Sequence, residues 1–200
     1  MKIKIRKLTP NLAKDYVRFF DTTPHNQKHN LKCYCVCWCS GKPEGIDCST
    51  DEKRREAALQ YVKNGKLQGY LAYSGNQIVG WCNANTKADC LQCIRRYLMD
   101  SIPTDESADI KTKSIFCFTV APELQRKGVA AQLLKRVCED AAEDGFHFVE
   151  AYPNKLSTTE SEDFMGYMEM YQKNGFIPVR ETDDKYVMRK ALKESFITKS

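Results

Sequence analysis

The chain has 200 residues, 42% hydrophobic and 28% charged, with a formal net charge of +5 at pH 7. That length suits one domain over 1–200 with a sizeable core, the composition is that of an ordinary soluble globular protein, and no apolar run approaches the ~20 residues of a membrane span. Lysines and arginines are interleaved with acids and form no basic stripe, so neither nucleic acid nor a membrane is expected as a partner.

The segment from Met1 to Leu8 alternates charged and apolar residues and lacks the apolar region of a signal peptide, so a cytoplasmic location is expected. Ile3 and Ile5 mark a half-buried first strand over 2–7. Thr9 as N-cap and Pro10 at the first helical position begin a helix over 9–20, with Leu12, Tyr16, Phe19 and Phe20 on one face. Residues 24–50 read as an irregular, cysteine-rich loop. A second helix runs from Thr50 to about Asn64, where Gly65 ends it. Strands over 69–73 and 77–83 follow, joined by a turn at Ser74, Gly75 and Asn76.

Residues 87–113 read as an insertion, with Leu91, Ile94 and Leu98 spaced for a short helix. The central strand over 114–120 is β-branched and aromatic. It stops at Pro122, which cannot donate to a ladder and biases Ala121 away from helical angles. Leu124, Ala131, Leu134 and Val137 then recur at helical spacing, up to a stop at Gly145. A strand over 146–152, a polar loop over 153–162, a helix carrying Tyr171, and a hairpin of 177–180 with 185–189 complete a mixed α/β fold.

The junction of the central strand with its helix carries a chemical signal. A helix start presents unpaired N–H groups and the positive end of the macrodipole. Gly128 has no side chain to obstruct an anion there, Ala130 and Ala131 are nearly as small, and Arg126 and Lys127 add charge at the rim. The turn suits a phosphate or pyrophosphate.

At these residues the chain resembles the GCN5-related N-acetyltransferases, whose pyrophosphate signature is Arg/Gln-x-x-Gly-x-Gly/Ala; Gln125, Gly128 and Ala130 occupy its three positions. The stretch from Tyr167 to Phe176 is similar to the family's later helix, which ends in Tyr-x-x-x-Gly-Phe, here Tyr171, Gly175 and Phe176. The resemblance is specific over 114–190 and looser over 1–86. It implies a mostly antiparallel sheet flanked by helices, with a splayed central pair of strands that holds acetyl-CoA as cosubstrate. By the same resemblance, the backbone of Phe118 and Val120 pairs with the pantetheine arm. Gln125, Arg126, Lys127, Gly128, Val129 and Ala130 hold the pyrophosphate. Asn154 matches a pantetheine contact, although the insertion of 155–162 departs from the pattern. Tyr171 matches a general acid that protonates the leaving thiolate, a role that suits a phenol. The implied activity is direct transfer of acetyl to a primary amine in a ternary complex. Monomer and homodimer both stay open.

Many relatives carry a carboxylate on the central strand; this chain has Ser114, Cys117 and Thr119 there. Glu150, on the next strand, is the candidate base, with Glu44 and Asp47 or solvent as alternatives. Cys117 leaves a covalent acetyl-cysteine route open.

The ten cysteines are 33, 35, 37, 39, 48, 82, 90, 93, 117 and 138. Cys82, Cys117 and Cys138 sit in apolar patterns and read as core residues. Alternation in an extended 33–39 segment puts four thiols on one face, with Tyr34, Val36 and Trp38 on the other. Thiols spaced ~6.6 Å apart along one strand make a poor four-ligand site. No metal is therefore expected, even with Cys90-x-x-Cys93. Tyr34 and Trp38 are candidates for an aromatic wall of the acceptor pocket, with a core segment as the equal alternative. A non-catalytic acyl-CoA-binding or thiol redox-sensing module on the same fold is the competing function.

Overall fold

The structure, a computed structural model, describes residues 2–23, 32–38, 47–91, 93–94, 109–155 and 164–192. Among the described residues, seven strands form one sheet: β1 (Ile3–Lys7), β2 (Gly69–Ser74), β3 (Gln77–Thr86), β4 (Thr112–Val120), β5 (Phe148–Ala151), β6 (Ile177–Glu181) and β7 (Tyr186–Ala191). Their order is β1-β2-β3-β4-β5-β7-β6. Only β4 with β5 is parallel; every other neighbouring pair is antiparallel. The mixed, mostly antiparallel α/β sheet expected from the sequence is the one observed.

Helices α1 (Ala13–Thr22) and α2 (Asp51–Lys63) cover one face. Helices α3 (Val129–Glu143) and α4 (Met168–Lys173) cover the other. Strand periodicity divides the core between the two faces. Tyr70, Ala72, Cys82, Ala84, Phe118 and Val149 join Leu133, Leu134 and Val137 of α3. Leu71, Tyr73, Trp81 and Cys117 meet Tyr16, Phe19 and Phe20 of α1 on the opposite side. The Trp81 ring is fully buried and lies edge-on to Tyr16, with centroids 4.8 Å apart.

Several boundaries differ from the sequence reading. Thr9 makes no side-chain cap, and Pro10–Leu12 form a 3-10 turn before α1 begins at Ala13. Thr50 does cap α2, its side chain accepting from the Lys53 N–H at 3.3 Å. Thr112 and Lys113, expected within the insertion, already belong to β4. A short 3-10 turn at Lys87–Cys90 leads into helical residues at 91, 93 and 94, with Cys90, Cys93 and Ile94 buried. Leu98, the last of the expected helix markers, lies outside the described residues. Among the described residues, no helix is long and apolar enough to cross a membrane.

Lys113 is buried on β4 with its Nζ 4.3 Å from the Phe146 ring centroid. Burial, then the charge of nearby Lys7, pushes its ammonium down to about 8 from an ordinary 10.5. Between those values the unfolded chain binds the proton that the folded chain has released, so this group's contribution to stability rises with pH. Its destabilising effect is fully present below about pH 8 and gone above the unfolded value of 10.5. Denaturant melts should therefore show wild type gaining on a Lys113→Met variant as pH rises through that window. A constant gap between the two would contradict this.

Candidate functional site

The site is built on an irregularity in β4. Cys117 stands opposite Asn83 and Ile115 opposite Ala84, so Phe116 is an extra residue between them. This bulge bends the strand and resets its alternation. Phe116 and Cys117 both face the α1/α2 side, while Ile115 and Phe118 face α3. Pairing of β4 with β5 begins at Thr112↔Phe148 and its last pair is Ile115↔Ala151, immediately before the bulge. From Phe116 to Val120, β4 continues beside β3 with no further β5 partner among the described residues. A parallel pair has opened into a V.

The anion cradle lies where β4 ends. Pro122–Leu124 form a 3-10 turn, Arg126 has a φ of +59°, and Gly128 is the α3 N-cap with a φ of +79° and no side-chain cap. A Cβ at Gly128 would meet nothing within 4 Å. Glycine is thus demanded here by its left-handed backbone, while the room beside it is open for a ligand. Gln125, Arg126, Lys127 and Gly128 are exposed, Ala130 is half-buried, and the Val129 side chain is buried in the core. The first α3 amides lie at a helix start whose N-cap residue, Gly128, has no side chain to cap them. Gln125 turns back, its Nε2 donating to the Val120 carbonyl at 3.3 Å.

Gly80 belongs to this arrangement and was not singled out by sequence. It pairs with Val120, and a Cβ on it would sit 3.0 Å from Val129 Cγ1 and 3.4 Å from Leu133 Cδ1. Its smallness lets the first turns of α3 press onto the sheet. A glycine inside a strand pattern was the available signal.

Inside the V, the Phe118 N–H donates to the Phe164 carbonyl at 2.7 Å. Tyr171 is fully buried, and its hydroxyl donates to the next carbonyl, Met165, at 2.5 Å. Its ring lies 6.5 Å from that of Phe118 and 5.3 Å from that of Phe176. The structure therefore brings Phe118, Val120, Tyr171 and the 125–130 turn to one end of β4. Asn154 stands apart: it forms an isolated bridge with Lys185, and its Oδ1 accepts from the Lys185 ammonium.

Glu150 is buried on the α1/α2 face, on the same side as Tyr152, as alternation required. One oxygen accepts from Arg189 Nε at 2.7 Å and from the same guanidinium's second nitrogen. The other meets Lys87 Nζ at 2.8 Å and accepts from the Tyr152 hydroxyl at 3.1 Å, which is itself 2.9 Å from Ser114 Oγ. Lys87 is itself only 3% exposed, so the pair is shielded from water. Asp47 is exposed, and bonds from the Lys53 ammonium and Ser49 hold its carboxyl well below the usual range. Glu44 lies outside the described residues.

The 33–39 loop corrects the sequence reading. Tyr34 and Cys35 both have a φ of +51°, and Val36–Trp38 form a 3-10 turn. A turn abolishes period-two alternation: Tyr34, Cys35 and Val36 are all buried, whereas Cys33 and Cys37 are half-buried with sulfurs 3.8 Å apart. Cys35 takes a hydrogen bond from Trp81 Nε1 at 3.3 Å, and burial pushes its thiol well up. The Tyr34 ring packs 5.7 Å from Phe20 and its hydroxyl donates to Asp21 at 2.7 Å. It is a core residue under the loop. The Trp38 side chain lies outside the described residues. Among those described, no group of three or more His, Cys, Asp or Glu is placed to hold a metal.

No curated protein sequence matches the chain. Among solved structures, the acetyltransferase of the GNAT family from Streptococcus pneumoniae is 16% identical with a TM-score of 0.53, covering 96% of this chain and 100% of its own. The PaiA N-acetyltransferase of Thermoplasma acidophilum, solved with coenzyme A, is 14% identical with a TM-score of 0.56 over 96% and 99% of the two chains. The ribosomal-protein-S5-alanine acetyltransferase of Vibrio fischeri is 12% identical with a TM-score of 0.58 over 97% and 95%. At these identities the likeness is one of fold. The model of the acetyltransferase (GNAT) family, however, matches residues 32–176, a span that holds the bulged β4, the glycine-capped helix and Tyr171. With most of its length matched, the chain belongs to the GNAT acetyltransferase family.

Proposed function

We propose that the protein is an N-acetyltransferase that moves acetyl from acetyl-CoA to a primary amine of a small molecule or peptide, directly, in a ternary complex. The convergence of three donors on one end of β4 supports this reading most: the Phe118 amide, the Tyr171 hydroxyl and the glycine-capped start of α3. The residues present fit an acyl-CoA. Main-chain amides of 128–130 with Arg126 and Lys127 at the rim receive a pyrophosphate. The V edge of β4, at Phe118 and Val120, offers a strand-like partner to an amide-bearing arm. Acetyl-CoA supplies an activated thioester.

At the reacting end, the Phe118 N–H polarises a carbonyl and the Tyr171 O–H supplies a proton to the leaving sulfur. The buried ion pairs of Glu150 favour a role as a charge hub that ties Lys87 to β5 and β7. Proton removal from the amine is then left to solvent. Cys117 and Thr119 face the α1/α2 side of β4, where an acceptor amine enters in this reading.

Release of free CoA from acetyl-CoA, measured over a panel of polyamines, amino acids, peptide N-termini and amine-bearing antibiotics, tests the function. Turnover with at least one amine is expected. Gly128→Val should weaken acetyl-CoA binding about tenfold or more, because its methyls enter the space where a pyrophosphate approaches the amides, while the left-handed backbone cost of about 1–2 kcal/mol falls on the stability of the fold. Calorimetry with acetyl-CoA reads this directly; unchanged affinity would move the pyrophosphate elsewhere.

A second reading is supported by the half-buried Cys33 and Cys37 sulfurs 3.8 Å apart: a non-catalytic acyl-CoA-binding module with a redox-active thiol pair. CoA binding with no turnover on any amine, together with a reversible Cys33–Cys37 disulfide, would favour it.

A further inference from the structure

The V between β4 and β5 is filled by the chain itself. Phe164 packs against the core of the α1/α2 face, and Met165 lies in a cluster with Phe116, Tyr152 and Val187 on that same face. A few residues later, Tyr171 and Phe176 belong to the α3 face. Between them the chain crosses the sheet at its opening, next to Phe118.

Both donors that the proposed reaction needs are engaged by this crossing. The Phe118 amide is held by the Phe164 carbonyl at 2.7 Å, and the Tyr171 hydroxyl by the Met165 carbonyl at 2.5 Å. Two consecutive peptide carbonyls thus sit where a thioester carbonyl and its sulfur have to be received. The crossing is made at Gly166, which has a φ of +80°. A Cβ there would lie 2.9 Å from Met170 Cε and 3.0 Å from the Tyr171 hydroxyl oxygen. The far end of Met170 can move aside, but the tyrosine is fully buried. The closed arrangement therefore depends on glycine at 166.

We propose that residues 164–166 form a self-inhibitory strap that closes the acyl-donor slot, and that acetyl-CoA binds only after the strap has left it. This inference rests on the donor-site reading above. A slot open for a fraction f of the time binds with an apparent dissociation constant raised by 1/f. The strap therefore sets both the affinity for the acyl donor and the rate of its entry. It also keeps the Tyr171 proton away from water until a thioester arrives.

The test mixes the full chain with coenzyme A carrying a fluorophore on its adenosine end, in stopped flow, and titrates acetyl-CoA by calorimetry. The observed association rate of the wild type should level off as CoA rises, because opening becomes limiting. Gly166→Ala strains the closed form, so it should raise that plateau and tighten acetyl-CoA binding about tenfold. A linear rate in the wild type with unchanged affinity in the variant would overturn the strap while leaving the donor site in place. Absence of acetyl-CoA binding in both proteins would instead remove the donor site, and the strap with it. Should the alanine variant not fold, hydrogen exchange of the wild-type peptide spanning 164–167 decides. Faster exchange on adding acetyl-CoA supports expulsion of the strap, and unchanged or slower exchange refutes it.

Discussion

Tyr171→Phe is expected to lower the turnover number by about 10²–10⁴-fold, the range associated with loss of a positioned general acid. The substitution removes one oxygen and keeps the ring. Phe118 and Phe176 retain their aromatic contacts at 6.5 and 5.3 Å, and the α4 face of the core stays filled. Affinity for acetyl-CoA is not expected to fall. The hydroxyl's bond in the closed form goes to Met165, so its loss loosens the segment that occupies the slot. A drop in turnover with equal or tighter acetyl-CoA binding is therefore the signature, read from steady-state rates and calorimetry on the same preparation. Unchanged turnover would remove Tyr171 from the chemistry and leave it as a packing residue.

Glu150→Gln is expected to destabilise the fold by about 3–5 kcal/mol, because it leaves the buried Lys87 ammonium facing an amide, with only the Arg189 guanidinium partly reached by water. Lys87 is 3% exposed and Glu150 1%, so solvent cannot replace the lost charge at Lys87. A domain is stable by only about 5–15 kcal/mol in total, and for a chain of this size the loss corresponds to a melting temperature lower by about 10 °C. The same variant, assayed cold where it stays folded, also addresses catalysis. A carboxylate that removes the proton from the amine would impose an acidic limb on the pH profile of kcat/KM, and the limb would vanish with the glutamine. A charge hub predicts reduced stability with the shape of the profile retained. A stable variant that loses the limb would restore Glu150 as the base.

The α3 junction was legible because its signals are local. Pro122 ends a β-branched strand, a run of small residues opens the helix, and Gly128 occupies a left-handed position that other residues avoid. Tyr171 was singled out by the resemblance of Tyr171, Gly175 and Phe176 to a family motif, and the structure places its ring 6.5 Å from that of Phe118. The 33–39 loop was misread for the opposite reason. Its alternation matched an extended segment, but the aromatic face of α1 and Trp81 draw Tyr34, Cys35 and Val36 all inward, at the cost of two left-handed residues. Burial prevailed over local preference there. Glu150 shows the same limit: its face followed from period two, but Arg189 on β7 and Lys87 after β3 are brought to it only by sheet order.

The sequence by itself determined the alternation of strands and helices and the glycine-capped turn at the end of β4, since each rests on residues close in the chain; the sheet class and the phenol on the late helix came through the family resemblance. Tertiary structure alone decided what fills the V. The contacts of Phe118 with Phe164 and of Tyr171 with Met165 arise where strands far apart in sequence splay at a one-residue bulge. No periodicity in any one segment encodes that opening, because it comes from the register between segments.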